Sequence, residues 1–302
     1  MLSTLLSGLD PVDAHEPLRQ RPTARGPINP RESFPFLVLS GAGGHFHSLL
    51  LSPGFATIYA GTHLGLFRSE DRGLTWRLAA PPFSREEGHG VVGDPKVGVL
   101  HVATHGQGLL TSRDGGRTWS AASGRLPGRD VHALALDPRS PSILYVWVAG
   151  TGLLRSDDAG RHWSKVAGAD TLADVEGLAV HPEKSDRLYA ATAKGLWLSE
   201  DGGKHWALPD DRLLHRVAGV AFAPWRPGLL AATTLEGTFV GRDDGTGWEP
   251  LPPAPAWWGL PIGLAFLPDL PDRLFVVTHE GVVATLHFSR KDWTPLAMLQ
   301  LQ

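Results

Sequence analysis

The sequence has no cysteine among its 302 residues, only two methionines and only three tyrosines. The absence of cysteine excludes disulfide bonds, thiolate metal sites and a cysteine nucleophile. No stretch approaches the eighteen or so consecutive apolar residues of a membrane-spanning helix. The formal net charge of -3 gives no electrostatic reason to expect a nucleic acid or an anionic membrane as partner.

The first 34 residues lack the features of a secretory signal. The apolar stretch 2–9 is short, contains Ser and Gly, and has no basic residue before it, whereas a signal peptide has a basic start, a longer apolar run and a small-residue cleavage site. Five prolines among charged residues follow, which predicts an extended N-terminal arm over residues 1–34. We therefore expect a cytoplasmic location.

Tryptophan, by contrast, is abundant, and six of the eleven indoles recur at a nearly constant spacing. They are separated by 43, 44, 43, 42 and 45 residues, at Trp76, Trp119, Trp163, Trp206, Trp248 and Trp293. A second ladder repeats every 42 to 44 residues, at Pro53, Pro95, Pro138, Pro182, Pro224 and Pro268. Because the tryptophan and proline series share nearly the same spacing over six repeats, they predict six copies of one structural unit.

Each unit contains four short β-rich runs, which we name A to D in chain order. In one copy they are residues 131–138, 143–149, 153–156 and 163–166, separated by Gly, Pro, Asp and Ser. Four strands in a period near 43 are typical of a propeller blade. The sequence therefore predicts an all-β fold, a six-bladed β-propeller of four-stranded antiparallel blades over residues 35–302. The blades are expected at 44–80, 87–123, 130–167, 174–209, 216–252 and 260–301. Residues 36–40 are predicted to pair with the outer edge of the last blade and close the ring.

The turn between strands C and D repeats as Ser-x-Asp-x-Gly-x-x-Trp. Its aspartates are Asp71, Asp114, Asp158, Asp201 and Asp243. The fifth copy has Gly241 in place of Ser, and the sixth keeps only Trp293. Such a carboxylate can accept backbone N–H groups of its own turn, the glycine can take a positive φ, and the indole can fill the space between blades.

This pattern resembles the Asp-box, or BNR-repeat, propellers over about 260 of the 302 residues. Similar repeats occur in bacterial sialidases, xyloglucanases, the sortilin ectodomain and photosystem II stability/assembly factors. The resemblance implies a structural role for the five aspartates, one per blade on the rim. It leaves the function open, because one scaffold carries unrelated sites.

The residues that a sialidase or a glycosidase would need can be looked for in this sequence. A sialidase resemblance implies a tyrosine nucleophile, yet Tyr59, Tyr145 and Tyr189 share one position in strand B of three blades. A position repeated around a ring indicates packing, so sialidase activity is not expected. Xyloglucanases of this type resemble two propellers with a cleft between them, which a single ring lacks. The nearest carboxylate pair, Glu86 and Glu87, is adjacent in sequence, so it is a weak candidate for a two-carboxylate glycosidase.

Two series of histidines fall on the face that carries the D–A and B–C loops. At the entry to strand A, four blades have His47, His89, His132 and Glu176, and Ala218 and Ile262 complete the ring. In the B–C hairpins, a histidine follows threonine at His63, His105 and His279. Imidazoles with a carboxylate suit Zn or Mn, and these seven residues are the predicted metal ligands. Without metal, these histidines could act as an acid, a base or an anion binder. The alternative is a structural role, in which each repeated histidine only forms a hydrogen bond to a neighbouring loop.

The same face carries the predicted binding residues, which are Trp257, Trp258, His215, Arg216, Arg129 and Asp130. Two adjacent indoles in a Pro-rich loop can stack on a sugar or grip a peptide, or they can pack into the blade junction. Trp147, Trp197 and Trp225 are predicted to be packing residues. We expect a non-catalytic binding or assembly-factor propeller that engages a protein or carbohydrate partner, as the likeness to assembly factors implies. The alternative is a hydrolase or lyase, glycosidase-like or His-metal dependent, acting at the mouth of the central channel.

Overall fold

The computed structural model describes thirteen segments of the chain. They are residues 36–39, 46–51, 57–62, 65–71, 75–79, 88–94, 98–121, 126–209, 214–223, 226, 228–242, 244–266 and 270–301. The predicted arm over 1–34 lies outside them, as do His63, Glu86, Glu87, Trp225 and Asp243. The side chains of residues 36–39, 46, 47, 51, 88–94, 257 and 297–301 also lie outside the description.

The first strand, β1 (Phe36–Leu39), belongs to the last sheet of the chain. The next three sheets are blades of four antiparallel strands. Blade 1 contains β2 (Phe46–Leu51), β3 (Ile58–Thr62), β4 (Gly65–Ser69) and β5 (Arg77–Leu78). Blade 2 contains β6 (Gly88–Asp94), β7 (Val99–Thr104), β8 (Leu109–Ser112) and β9 (Ser120–Ala121). Blade 3 contains β10 (Val131–Leu136), β11 (Leu144–Val148), β12 (Gly152–Ser156) and β13 (Ser164–Lys165).

Blades 4 to 6 complete the ring. Blade 4 contains β14 (Val175–Val180), β15 (Leu188–Thr192) and β16 (Gly195–Ser199). Blade 5 contains β17 (Val217–Phe222), β18 (Leu229–Thr234), β19 (Gly237–Arg242) and β20 (Glu249–Pro250). Blade 6 contains β21 (Pro261–Phe266), β22 (Arg273–Thr278), β23 (Val282–His287) and β24 (Asp292–Leu301). Two 3₁₀ turns, Ala169–Thr171 and Ala256–Trp258, are the helical elements of the described segments.

Blade 4 departs from the predicted four strands. A single antiparallel bridge between Leu198 and Ala207 takes the place of its outer strand. The two residues exchange both backbone hydrogen bonds, each 2.8 Å long. Pro209 follows two residues later, and because proline has no N–H it cannot continue the ladder. The expectation of four strands is therefore wrong for this blade.

The first strand of each blade, which we call its inner strand, contacts its neighbours around a closed ring. Strand β2 contacts both β6 and β21, and contacts between β6 and β10, β10 and β14, β14 and β17, and β17 and β21 complete the circle. Each inner strand therefore touches the inner strand of the blade on either side. The prediction of a six-bladed β-propeller is confirmed.

Each motif tryptophan packs in a cluster that spans two blades. Trp76, which is buried, packs with Leu49 of its own blade and with Phe275 and Val283 of blade 6. Trp206 lies against a buried cluster that joins blades 3 and 4, and Trp248 is buried in the cluster that joins blades 4 and 5. These indoles fill the wedge-shaped space that widens between neighbouring sheets, and apolar burial there holds adjacent blades together.

Strand β1 extends blade 6 at its outer edge. It runs parallel to β24, with Phe36 opposite Met298 and Leu39 opposite Leu301. This is the edge that the sequence predicts for residues 36–40. Pairing covers the unsatisfied N–H and C=O groups of an edge strand. The role of β1 as a latch for the ring stays a prediction.

The turn that contains Asp114 is held together by hydrogen bonds to its carboxylate and to Ser112. The carboxylate accepts the backbone N–H groups of Arg117 and Thr118 at 3.0 and 2.9 Å. It also accepts the hydroxyl of Ser112 at 2.7 Å, and the same hydroxyl accepts the N–H of Gly116 at 2.8 Å. Hydrogen bonds from Thr118, first from its hydroxyl, hold the pKa of Asp114 far below its ordinary value.

The C–D turns of blades 5 and 6 are stabilised differently from that of blade 2. In blade 5, a side chain at Gly241 would sit 2.5 Å from the ring of Trp248, so the loss of Ser at this position gives the indole room. In blade 6, Asp272 of the A–B turn accepts the backbone N–H of Ser289 at 2.8 Å. A carboxylate from a different turn therefore braces the hairpin that has lost the motif.

Candidate functional site

The D–A and B–C loops lie on one face of the propeller, which we call the loop face. Backbone hydrogen bonds brace these loops across neighbouring blades. The N–H of Gly108, in the hairpin of blade 2, donates to the carbonyl of Arg129, which precedes blade 3, at 3.0 Å. The N–H of Arg216, which precedes blade 5, donates to the carbonyl of Ala193 in the hairpin of blade 4 at 3.1 Å.

Each inner strand has a β-bulge at the same place. The pairing register with the second strand shifts by one residue in all six blades. The skipped residues are His47, His89, His132, Glu176, Ala218 and Ile262. These are the six positions aligned from the sequence at the entry to strand A. A bulge leaves its extra residue outside the ladder and redirects its side chain, so it marks one special position per blade at the loop face.

His132, at the bulge of blade 3, meets two other side chains. They are His105, in the B–C hairpin of blade 2, and Asp130, immediately before β10. One ligand atom from each of the three residues lies within 4.8 Å of the others. Among the described residues this is the one group of three that could hold a metal ion. The site therefore joins two adjacent blades.

Asp130 lies between the two imidazoles. Its Oδ1 is hydrogen-bonded to Nδ1 of His105 and lies 3.1 Å from Nε2 of His132. The two rings are perpendicular, with centroids 4.9 Å apart. Each histidine side chain is 17% exposed, whereas that of Asp130 is 46% exposed. The carboxylate therefore forms the open side of the site.

The electrostatics of the site favour an ionised carboxylate. Burial raises the pKa of Asp130, but the hydrogen bond from His105 and the charges of His132 and His105 act in the opposite direction and outweigh it. The net pKa of Asp130 lies below its ordinary value. An ionised carboxylate beside two imidazoles can bind a cation, orient an imidazole for proton transfer, or accept donors from a partner.

The structure does not gather the other predicted metal ligands at this place. Glu176 is exposed at the bulge of blade 4, and His279 lies in blade 6 with its Nδ1 3.7 Å from Oε1 of Glu280. Neither belongs to the group formed by His105, Asp130 and His132. These two residues lie apart from the group because the ring separates blades 4 and 6 from the junction of blades 2 and 3. The side chains of His47 and His89, and all of His63, lie outside the described residues.

Trp258 does not expose the indole face that its predicted binding role would use. Its side chain is only 3% exposed and packs against Val282 and Ala284. Its ring meets that of Trp293 edge to face, with centroids 6.2 Å apart. The 3₁₀ turn at Ala256–Trp258 directs this indole against β23 and β24 of blade 6, so Trp258 is a packing residue. Trp257 belongs to the same turn, and its side chain lies outside the description.

The remaining predicted binding residues lie at the loop face. Arg129 and His215 are exposed, and Arg216 is partly buried. Arg216 has a φ of 52° and Asp174, at the corresponding position of blade 4, has a φ of 50°. A positive φ is costly for residues other than glycine, and such strain is concentrated at functional sites.

The three tyrosines are packing residues, as their repeated position indicates. Tyr59, Tyr145 and Tyr189 are all buried. The hydroxyl of Tyr59 donates to the carbonyl of Gly115 in the next blade, and burial raises the pKa of both Tyr59 and Tyr145. A buried phenol with a raised pKa is a poor nucleophile.

Thr104 supports the site, although it is not among the residues predicted from the sequence. Its hydroxyl donates to the carbonyl of Gly108 at 2.9 Å and accepts the N–H of Gln107 at 3.0 Å. These bonds fix the hairpin that carries His105. Thr62 and Thr192 close their hairpins in the same way. In the sequence, such a supporting residue could have been recognised as a threonine at the end of strand B, followed three or four residues later by a glycine.

Comparison with known proteins agrees with this architecture. The Sortilin-Vps10 family (sortilin, neurotensin receptor 3) matches residues 107–224. A search of curated proteins found no match.

No helix in the described part of the chain has the length and hydropathy of a membrane span.

The fold is shared with many solved structures, among them the following three. YCF48 bound to D1 peptide has a TM-score of 0.53 and 16% identity, and the match covers 80% of this chain and 76% of that chain. An ancestral GH74 enzyme has a TM-score of 0.54 and 18% identity, covering 69% of this chain and 31% of that chain. The extracellular domain of a hybrid two component system from B. thetaiotaomicron has a TM-score of 0.59 and 14% identity, covering 85% and 35%. The match thus spans about a third of the length of the last two proteins.

The motif spacing, the closed ring and the match over residues 107–224 agree with one another. The protein is a six-bladed β-propeller that is similar to the Sortilin-Vps10 family over residues 107–224.

Proposed function

We propose that the protein is a non-catalytic binding or assembly-factor propeller that engages a polypeptide segment of a partner across its loop face. The observation that carries the proposal is the bracing of the loops by backbone hydrogen bonds, from Gly108 to Arg129 and from Arg216 to Ala193. Loops held in this way lose little conformational entropy on binding. Such ordering is a principal cost of association.

The composition of the loop face supports a protein partner. Of the four exposed large apolar side chains among the described residues, Leu235 lies in the B–C hairpin of blade 5 and Leu260 in the loop before blade 6. A third, Leu208, approaches Gly195 in the hairpin of blade 4. Exposed apolar side chains on one face offer a partner segment places to pack, and we propose that these three leucines do so.

The indole pair gives less support to a carbohydrate partner. Trp258 is buried, so it has no free ring face on which a sugar could stack. The similar propeller YCF48 was solved with a D1 peptide, which favours a peptide among the partners compatible with this scaffold. The fold likeness alone does not transfer that ligand.

A peptide-display screen tests the proposal, because it requires no partner to be identified beforehand. Peptides are enriched on the full chain, and their affinity is then measured for a double variant, Leu235→Ser with Leu260→Ser. We expect more than about tenfold weakening, since interface anchors each contribute more than about 1 kcal/mol. Leu78→Ser, at an exposed leucine on the outer strand of blade 1, is the matched control and is expected to bind like the parent. Failure to enrich any peptide, or equal binding by both variants, refutes the proposal.

A hydrolase acting at the channel mouth is the second candidate function. It is favoured by the hydrogen bond between His105 and Asp130, because a carboxylate that orients an imidazole is a common general-base arrangement. A panel of chromogenic glycosides and esters tests it. Turnover by the parent chain that His105→Gln abolishes would replace the binding proposal.

A further inference from the structure

We infer that His105, Asp130 and His132 form a binding site for a divalent transition-metal ion, with Zn²⁺ as the ion that their donor set suits best. The inference stands on these three side chains and holds whether or not the loop face binds a polypeptide.

The separation of the donor atoms fits a metal site. Zn²⁺ binds imidazole nitrogen and carboxylate oxygen at about 2.0–2.2 Å in a tetrahedron, which places ligand atoms about 3.3 Å apart. Oδ1 of Asp130 and Nε2 of His132 are 3.1 Å apart. All three ligand atoms lie within 4.8 Å of one another, so small side-chain rotations suffice to surround an ion.

The hydrogen bond between His105 and Asp130 occupies one edge of that tetrahedron. A metal ion would replace the proton of this hydrogen bond, and the two side chains would move apart to admit it. Metal binding at such a site releases protons, because an imidazole binds a metal through a deprotonated nitrogen. The proton-mediated contact and the metal-mediated one are therefore alternative states of the same three residues.

The donor types select among metals. Two imidazoles and one carboxylate suit Zn²⁺ and its transition-metal neighbours, whereas Mg²⁺ and Ca²⁺ prefer oxygen ligands throughout. Three protein ligands leave a fourth position for water or for a group on another molecule. The half-exposed carboxylate of Asp130 gives the ion access from solvent on this side.

The backbone holds the three ligands in place before any metal arrives. The bulge of β10 sets the position of His132, and Thr104 fixes the hairpin of His105 through the carbonyl of Gly108. The carbonyl of Asp130 accepts the N–H of Ala149 at 2.9 Å. Because the ligands come from two blades, a bound ion would cross-link blades 2 and 3 and stabilise the folded chain.

Zinc titration of the full chain tests the inference. The protein is purified without a His-tag and stripped with a chelator, and Zn²⁺ binding is measured by isothermal titration calorimetry and elemental analysis. We expect one equivalent of Zn²⁺ per chain and a rise in melting temperature. His105→Gln, His132→Gln and Asp130→Asn should each weaken the affinity by more than tenfold.

The repeats provide matched controls. His279→Gln changes the histidine at the same hairpin position of blade 6, and Asp174→Asn changes the carboxylate at the same position before the inner strand of blade 4. Both are expected to retain the parent affinity. Binding well below one equivalent, binding that the three site variants leave intact, or an equal loss in the controls would overturn the inference.

A spectroscopic measurement on the parent chain covers the case in which a site variant fails to fold. X-ray absorption of the chain loaded with one equivalent of Zn²⁺ should show scattering from two imidazole rings. A spectrum without imidazole scattering refutes the site regardless of how the variants behave.

Discussion

The hydroxyl of Tyr59 donates a hydrogen bond of 2.9 Å to the carbonyl of Gly115, and so ties the second strand of blade 1 to the C–D turn of blade 2. Tyr59→Phe should lower the free energy of unfolding by about 0.5–1.5 kcal/mol, since the carbonyl loses its partner. Urea denaturation measures the change. Tyr145→Phe is the control, because its hydroxyl has no hydrogen-bond partner among the described residues, and equal losses in the two variants would contradict the assignment.

His101 occupies, in blade 2, the strand position that Tyr59 has in blade 1. Burial, and secondarily the charge of Arg113, lowers the pKa of His101 to about 4, while an unfolded histidine titrates at about 6.5. The stability contributed by neutral His101 is therefore complete above pH 6.5 and is lost as the pH falls towards 4. The loss should reach about 3 kcal/mol.

His101→Phe, which introduces the residue that blade 6 has as Phe275, tests this dependence. Denaturant midpoints are compared for the parent and the variant at neutral pH and near pH 4. The variant should lose less stability on acidification than the parent. Parallel curves for the two proteins would show that His101 does not titrate between the two conditions.

Asp201 should make its C–D turn sensitive to acid. Hydrogen bonds from the backbone N–H of His205, and then from the side chains of His205 and Ser199, outweigh a smaller effect of burial and lower the pKa of Asp201 to about 2. The ionised carboxylate stabilises the fold in full above pH about 4, and this contribution disappears as the pH falls through the lowered pKa.

We therefore expect Asp201→Asn to reduce the melting temperature by a few degrees at neutral pH, with the gap narrowing near pH 2. Asp157→Asn, at an exposed carboxylate beside the equivalent turn of blade 3 that pairs with Arg155, should have a smaller effect. A gap for Asp201→Asn that persists unchanged in acid would argue that the side-chain shape, and not its charge, supports the turn.

Trp258 should be a stability residue. Trp258→Ala removes a buried indole from the cluster with Val282 and Trp293, and such truncations cost about 3–5 kcal/mol. Leu260→Ala, two residues away and exposed, should change stability by less than about 0.5 kcal/mol. A loss below about 1 kcal/mol for Trp258→Ala would return this indole to the candidates for binding.

The repeat spacing was sufficient to predict the ring, because a marker such as Trp76 or Trp206 recurs wherever a blade junction has to be filled. The alignment at the entry to strand A also predicted the six equivalent positions that prove to be bulges. The bulge itself could not be read from the sequence, since it depends on the pairing register with the second strand. The missing outer strand of blade 4 likewise depends on where pairing ends near Pro209.

The site was predicted only in part. His105 and His132 were each predicted as metal ligands, but in two separate series, and Asp130 was predicted as a partner-binding residue. Their meeting depends on the conformation of the loop before β10 and on the approach of a hairpin from the preceding blade. Sequence alone left binding and packing open for Trp258, because the conformation of the 3₁₀ turn decides whether its indole points inward.

The recurring bulge makes the loop face easy to diversify. One exceptional backbone position recurs in every blade, and the side chains there range from His132 through Glu176 to Ala218 and Ile262. The bulge accommodates imidazole, carboxylate, methyl and branched alkyl groups at equivalent places in one chain. The side chains at these positions can therefore be changed one at a time, by natural mutation or by protein engineering, while the strands that carry them keep their pairing.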